Sequence, residues 1–142
     1  MKITKDSHLD HNLSEEVIAF ICDKFAGRDQ FFIERVEIPE EFGTVPCALY
    51  GPLMGDSPVM EEEVSYAPRG NRAYPSRMIN RPMRKVSYIT VIAGPHNGDA
   101  CILYTAFGGP LSEKEVLDPT VTEDGKQKSI DFWSEHALSS EE

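Results

Sequence analysis

Residues 84–110, RKVSYITVIAGPHNGDACILYTAFGGP, constrain the fold more than any other stretch of the chain. Two apolar runs, 86–93 and 100–107, are rich in β-branched and aromatic residues, the side chains that fit a pleated, half-buried surface. Between them Gly94-Pro95-His96-Asn97-Gly98-Asp99 is almost pure turn chemistry. Glycine takes positive φ without steric cost, proline presets φ, and Asn and Asp bond their own backbone. Two strand-like runs joined in this way predict a β-hairpin. No other segment has two adjacent runs this apolar, so hairpin 86–107 belongs at the centre of the sheet.

The flanking segments supply helices and shorter strands. Val17, Ile18, Phe20, Ile21 and Phe25 recur at helical spacing. Ser14 can cap the start, Glu15 and Glu16 suit the first turn, and Gly27 suits the position after the end; a helix over 14–26 follows. Residues 30–38 alternate imperfectly and stop at Pro39, predicting a strand. A loop over 40–46 leads to a short apolar run, 47–50, closed by Gly51-Pro52. Residues 51–63 are turn-rich and acidic and read as an exposed loop. A short strand over 63–66 precedes a segment with Pro68, Pro75 and Pro82. Those prolines forbid a long helix and disfavour a central strand, leaving a loop with a short edge strand near Met78. Residues 111–125 are polar and without apolar period. Residues 129–138 predict a short second helix docking through Trp133. The order helix, hairpin-linked strands, helix points to an α+β fold with a twisted antiparallel sheet of about four to five strands, in one domain over 1–142.

Composition narrows the function classes. No run approaches the roughly 18–20 apolar residues of a membrane span, and the first residues carry no apolar signal segment. Both favour the cytoplasm, or export without a classical signal. Cys22, Cys47 and Cys101 form no CxxC pair and sit in apolar contexts, so they read as reduced core thiols, not as a zinc or redox site. There is no P-loop, no GxGxxG and no GxSxG, and nothing calls for a cofactor.

Charge is segregated along the chain. The net charge is −10. Arg69, Arg72, Arg77, Arg81, Arg84 and Lys85 fall in a window with no carboxylate, which carries +6 while the remainder carries −16. Concentrated cationic charge can steer an anion even on an acidic body. Guanidinium forks match phosphate or carboxylate oxygens, and Tyr74 among them could stack a base. The same arginines could instead pair with the acidic loop 56–63 or the C-terminal tail.

Two further candidates stand outside the window. His8 and His11 precede the first helix. A spacing of three could serve a metal, but no third ligand completes the set; one imidazole suffices as a general acid or base. At the hairpin exit, Tyr104 and Thr105 would present hydroxyls to opposite faces, where small residues let a ligand approach. His96, in the turn, and His136, on the last helix, read as surface residues.

Taken in order, these features resemble the small RNase-type toxin domains grouped with barnase, EndoU, colicin-type nucleases and RelE. The likeness spans residues 8–108. It also extends to bacterial proteins of similar length to which no function attaches. It implies metal-independent RNA cleavage by transesterification. His8 or His11 would take the 2′-hydroxyl proton, and Arg77 or Arg69 would stabilise the phosphorane, as fixed donors do wherever charge develops. Thr105 or Tyr104 would hold the scissile phosphate or leaving oxygen, with Arg72, Tyr74 and Arg81 binding RNA. A rival class is a non-catalytic, immunity-like protein that binds a basic protein partner through loop 56–63 and the tail 135–142, its arginines being structural. A third is an enzyme binding a small anion at the same window. Oligomeric state is left open.

Overall fold

Helix α1 starts where the capping chemistry demands. The Ser14 Oγ accepts the Val17 N–H at 3.2 Å, and Glu15 and Glu16 occupy the first turn, where acidic side chains offset the helix dipole. The computed structural model describes residues 1–4, 7, 13–70 and 72–140. In chain order it holds α1 (Glu15–Lys24), β1 (Phe32–Glu37), β2 (Val45–Cys47), β3 (Leu49–Tyr50), β4 (Val64–Ala67), β5 (Ser76–Ile79), β6 (Arg84–Val86), β7 (Tyr88–His96), β8 (Asp99–Gly108), α2 (Glu123–Trp133) and β9 (Ala137–Ser139). Short 3-10 turns lie at Glu40–Phe42, Pro52–Met54 and Glu61–Glu63. The class is α+β, as expected. The strand content is larger than expected: among the described residues, nine strands form three sheets in the orders β1-β7-β8, β2-β6 and β3-β9-β5-β4. In the three- and four-stranded sheets every pairing is antiparallel except β5 with β9. Among the described residues no helix is long and apolar enough to cross a membrane.

The chain divides into two compact units, Met1–Cys47 with Lys85–Pro110 and Ala48–Arg84 with Leu111–Glu142. The first holds the expected hairpin, but only half of it is central: β7 is the middle strand, and β8 ends the three-stranded order instead of lying inside it. Register alternates as a one-sided sheet requires: Phe32 faces Ala93 and Val36 faces Ile89. These four are buried, together with Val91, Leu103 and Ala106. Against that face α1 packs Val17, Ile21 and Phe25, spaced one turn apart and all nearly inaccessible. Each contributes about 2 kcal/mol relative to exposure.

The hairpin loop is tighter than its composition suggested. β7 runs through Gly94 and Pro95 to His96, which pairs with Asp99. Only Asn97 and Gly98 turn, both at positive φ, 48° and 87°, the two-residue geometry for which Asn-Gly is the strongest signal. Gly94 stays in the strand because a Cβ there would come within 3.1 Å of the Phe31 and Tyr104 rings.

The second unit departs further from expectation. β5 is an interior strand between β9 and β4, buried at all four residues, not an edge strand. Pro75 and Pro82 bracket it without interrupting it, so neither removes a ladder donor. Helix α2 begins earlier than predicted, where the Thr122 Oγ1 accepts the Gly125 N–H at 3.0 Å, and it ends at Trp133. Ala137 and Leu138, expected on its apolar face, lie in β9 and pair with Tyr50 and Leu49. A helix that buries only Ser129 and Trp133 leaves little apolar period to read. Trp133 docks as expected: it is buried, and its Nε1 donates to the carbonyls of Lys114 at 2.9 Å and Glu113 at 3.0 Å. No disulfide joins Cys22, Cys47 and Cys101.

At Gly98 a Cβ would meet nothing within 4 Å, so substitution there isolates the cost of positive φ. Gly98→Ala should destabilise the protein by about 1 kcal/mol, read as a shifted urea midpoint with an unchanged slope.

Candidate functional site

The basic window lies in the second unit apart from Lys85, and four of its arginines, Arg72, Arg77, Arg81 and Arg84, meet carboxylates. Arg77 stands on β5 with its side chain 6% exposed. Its Nε donates to the His136 carbonyl at 2.8 Å, and its Nη1 donates to Glu61 Oε1 at 2.7 Å. Its Nη2 is buried with no hydrogen-bond partner among the described residues. Arg81 Nη2 meets Glu63 Oε2 at 2.5 Å, and Arg84 Nη2 meets Asp56 Oδ2 at 2.6 Å. Arg72 faces Glu115 more loosely, at 3.8 Å. The Arg84 and Arg81 guanidinium groups also lie over the Tyr50 ring, 4.0 and 5.3 Å from its centroid, within the range where a ring face attracts a cation. Tyr74 donates to Asp118 Oδ2 at 3.4 Å; burial, then the Glu115 carboxylate, push its phenol up.

Three of these carboxylates, Asp56, Glu61 and Glu63, come from residues 51–63, read from sequence as an exposed acidic loop. Most of the segment is exposed, as expected, and it is also strapped down at a few points. Asp56, Glu61 and Glu63 tie it to Arg84, Arg77 and Arg81. Val59 is buried against Ile79 and Ala137, and its N–H donates to the Glu135 carbonyl at 2.9 Å. Burial alone would raise the Asp56 carboxyl. The Gly51 N–H at 3.1 Å and the Arg84 guanidinium outweigh it and hold the group below the ordinary range. Asp118 is likewise held low, chiefly by the Thr120 N–H at 2.8 Å.

His136 was expected at the surface and is buried, 4% exposed. Its Nε2 lies 2.8 Å from the Leu53 N–H, so that nitrogen must accept. The ring proton therefore sits on Nδ1 and donates to the Phe132 carbonyl at 2.8 Å. The imidazole stacks on Phe132 at 3.9 Å, and both nitrogens are engaged. Gly51, at φ 135°, makes room: a Cβ there would fall 2.5 Å from His136 Cδ2. This ring fastens the strap and has no nitrogen left for proton transfer. The spacing of four from Phe132 to His136 was the only sequence signal.

The other predicted site residues divide between places. His8 and His11 lie outside the described residues. Arg69 is half-buried in the second unit. Tyr104 and Thr105 belong to the first unit, on β8. A register shift opposite Ile92 and Ala93 inserts one extra residue there. Leu103 and Ala106 both face the core, so Tyr104 and Thr105 share the other face and do not point oppositely. The Tyr104 hydroxyl donates to the Pro95 carbonyl at 2.6 Å. The expected set thus falls in separate units, arginines in one and hydroxyls in the other.

The first unit carries a feature that sequence reading missed. An open groove of about 570 Å³ is lined by Glu16, Ala19, Phe20, Asp23 and Lys24 of α1 and by Phe42 of the 3-10 turn. Phe20 and Phe42 meet at 5.9 Å with their planes tilted by 55°. Phe20 lies outside the helix's core stripe, which was the available sign. Among the described residues no group of three or more His, Cys, Asp or Glu side chains is placed to hold a metal ion. Comparison with known proteins finds no family model, curated protein or solved structure that matches the chain.

The ion pairs differ in burial, and so in worth. Glu61→Ala should cost about 2 kcal/mol, because it strips a charged hydrogen bond from a buried guanidinium. Glu63→Ala should cost less than about 1 kcal/mol, because the Arg81 side chain is 42% exposed and keeps part of its solvation. Urea denaturation of both variants checks the order. Stability supplied by Asp56 is fully present above the unfolded-state carboxyl value of about 3.9 and is lost as pH falls through its lower folded value. Asp56→Asn should therefore lose less stability than the natural protein on titration below pH ~4.

Proposed function

We propose that this protein is a non-catalytic binding module for a basic protein partner. One observation carries this: Arg72, Arg77, Arg81 and Arg84 each face a carboxylate within the second unit. The guanidinium charge that could have gripped a phosphate is taken up in internal pairing, for Arg77, Arg81 and Arg84 in fastening the strap and for Arg72 in facing Glu115. Buried or paired arginines are what a structural role requires, since an unpaired buried charge is strongly destabilising. The partner is then chosen by the acidic remainder of a chain whose net charge is −10, and complementary charge speeds encounter and fixes orientation. Three carboxylates of loop 51–63 are tied to arginines, so the acidic surface of α1 and the turn at Glu40–Phe42 takes that role.

A ribonuclease would need His8 or His11 as the base for 2′-hydroxyl attack and Arg77 or Arg69 as the donor to the phosphorane. The two functions separate in one assay series. Purified protein at about 0.15 M salt, where charges are screened beyond about 8 Å, should leave total RNA intact and should retain a cationic polypeptide. RNA cleavage that disappears in His11→Ala, with an unchanged melting temperature, would establish the nuclease instead.

A further inference from the structure

The groove on α1 has the chemistry of a seat for one kind of ligand. Val17 and Ile21 of α1, with Phe25 at its C-cap, are buried in the core, while Phe20 and Phe42 pack against that core through part of their surface and, with Ala19, line an outward trough. Two tilted phenyl rings form an apolar floor. The volume of about 570 Å³ falls within the range of ligand sites, but the trough is open, which suits side chains projecting from a segment better than an enclosed small molecule.

The rim selects the sign of that segment. Glu16 and Asp23 stand seven residues apart, two turns of helix or roughly 10 Å. Glu15, Glu40 and Glu41 are exposed on the same two elements. Against these five carboxylates α1 and the turn offer one cation, Lys24. The carboxylates are dispersed and gather no metal-binding trio among the described residues. Spaced single charges match cationic side chains repeated along a helix, and an apolar floor matches that helix's other face; helix-in-groove recognition has this form.

We infer that the Ala19–Phe20–Phe42 groove binds a basic amphipathic helix of a partner protein, its apolar side chains on the two phenyl rings and its Lys or Arg side chains facing Glu16 and Asp23. This deepens the binding-module function and rests on it. A second copy of the chain is a poorer occupant, because its own net charge of −10 opposes approach.

The test uses the full chain, labelled with ¹⁵N, and two synthetic peptides of equal charge. One is an amphipathic Lys/Leu helix. The other is a Lys/Ser sequence with no apolar face. Shift changes with the Lys/Leu helix should concentrate in Glu15–Lys24 and Glu40–Phe42, and the Lys/Ser peptide should bind at least about tenfold more weakly. Ala19 is exposed, so Ala19→Arg fills the trough without touching the core. That variant should lower affinity about tenfold or more at an unchanged melting temperature, and Glu16→Lys with Asp23→Lys should lower affinity by a similar factor. Equal binding of both peptides, shifts located elsewhere, or undiminished binding by Ala19→Arg would overturn the groove while leaving a module for basic partners standing. Failure of both cationic peptides to bind would overturn both proposals. Saturable uptake of a neutral apolar molecule in their place would identify a small-molecule site and overturn them equally.

Discussion

A guanidinium on an interior strand must be paired, and Arg77 sets the terms for the second unit. Its β5 position leaves the charge almost without water, where an uncompensated ion costs several kcal/mol. The His136 carbonyl and Glu61 meet that demand. Meeting it draws the segment between β3 and β4 onto the sheet, and Arg81 and Arg84 extend the same tie to Glu63 and Asp56. His136 completes it by accepting the Leu53 N–H. An acidic loop and a basic window, opposite in sign and separate in sequence, thus become one neutralised layer. Charge spent on internal pairing is charge withdrawn from anion binding.

The first unit works by different physics. Its sheet and helix are held by apolar alternation, with Ile21, Ile89, Val91 and Leu103 wholly excluded from water. The ion pairs here, Arg28 with Glu34 and Arg35 with Glu37, are exposed and contribute little. Carboxylates on α1 and the following turn stay outward. Acidity therefore remains available on this unit, beside two phenyl rings that pack against the core through part of their surface and leave the rest outward.

Much of the first unit was legible, because its signals are local. Ser14, Glu15 and Glu16 announce a helix start within four residues, and the runs of β7 and β8 announce strands within ten. Even the tight turn was present in Asn97-Gly98, masked by neighbouring turn-forming residues that the strands absorb. In the second unit the signals are distant. β5 and β9 are only four and three residues long, and they exist because Met78 pairs with Leu138 across the chain. Helical spacing over 129–138 suggested a helix where sheet pairing prevails, since tertiary hydrogen bonds override local propensity. The candidate site suffered the same way. Counting charges found the arginine window but not its partners: Arg77 and Glu61 are 16 positions apart, Arg84 and Asp56 are 28.

The sequence by itself determined the α+β class, the first helix with its cap, the hairpin and the burial of Trp133, because each depends on periodicity or capping within a few residues. Only the tertiary structure decided that Arg72, Arg77, Arg81 and Arg84 are tied, that His136 is a buried fastener, and that Phe20 meets Phe42 in an acidic-rimmed groove. Those outcomes depend on which distant side chains become neighbours. Composition and spacing carry no record of that, because the pairing energy is realised only after the backbone has brought the partners within a few ångströms.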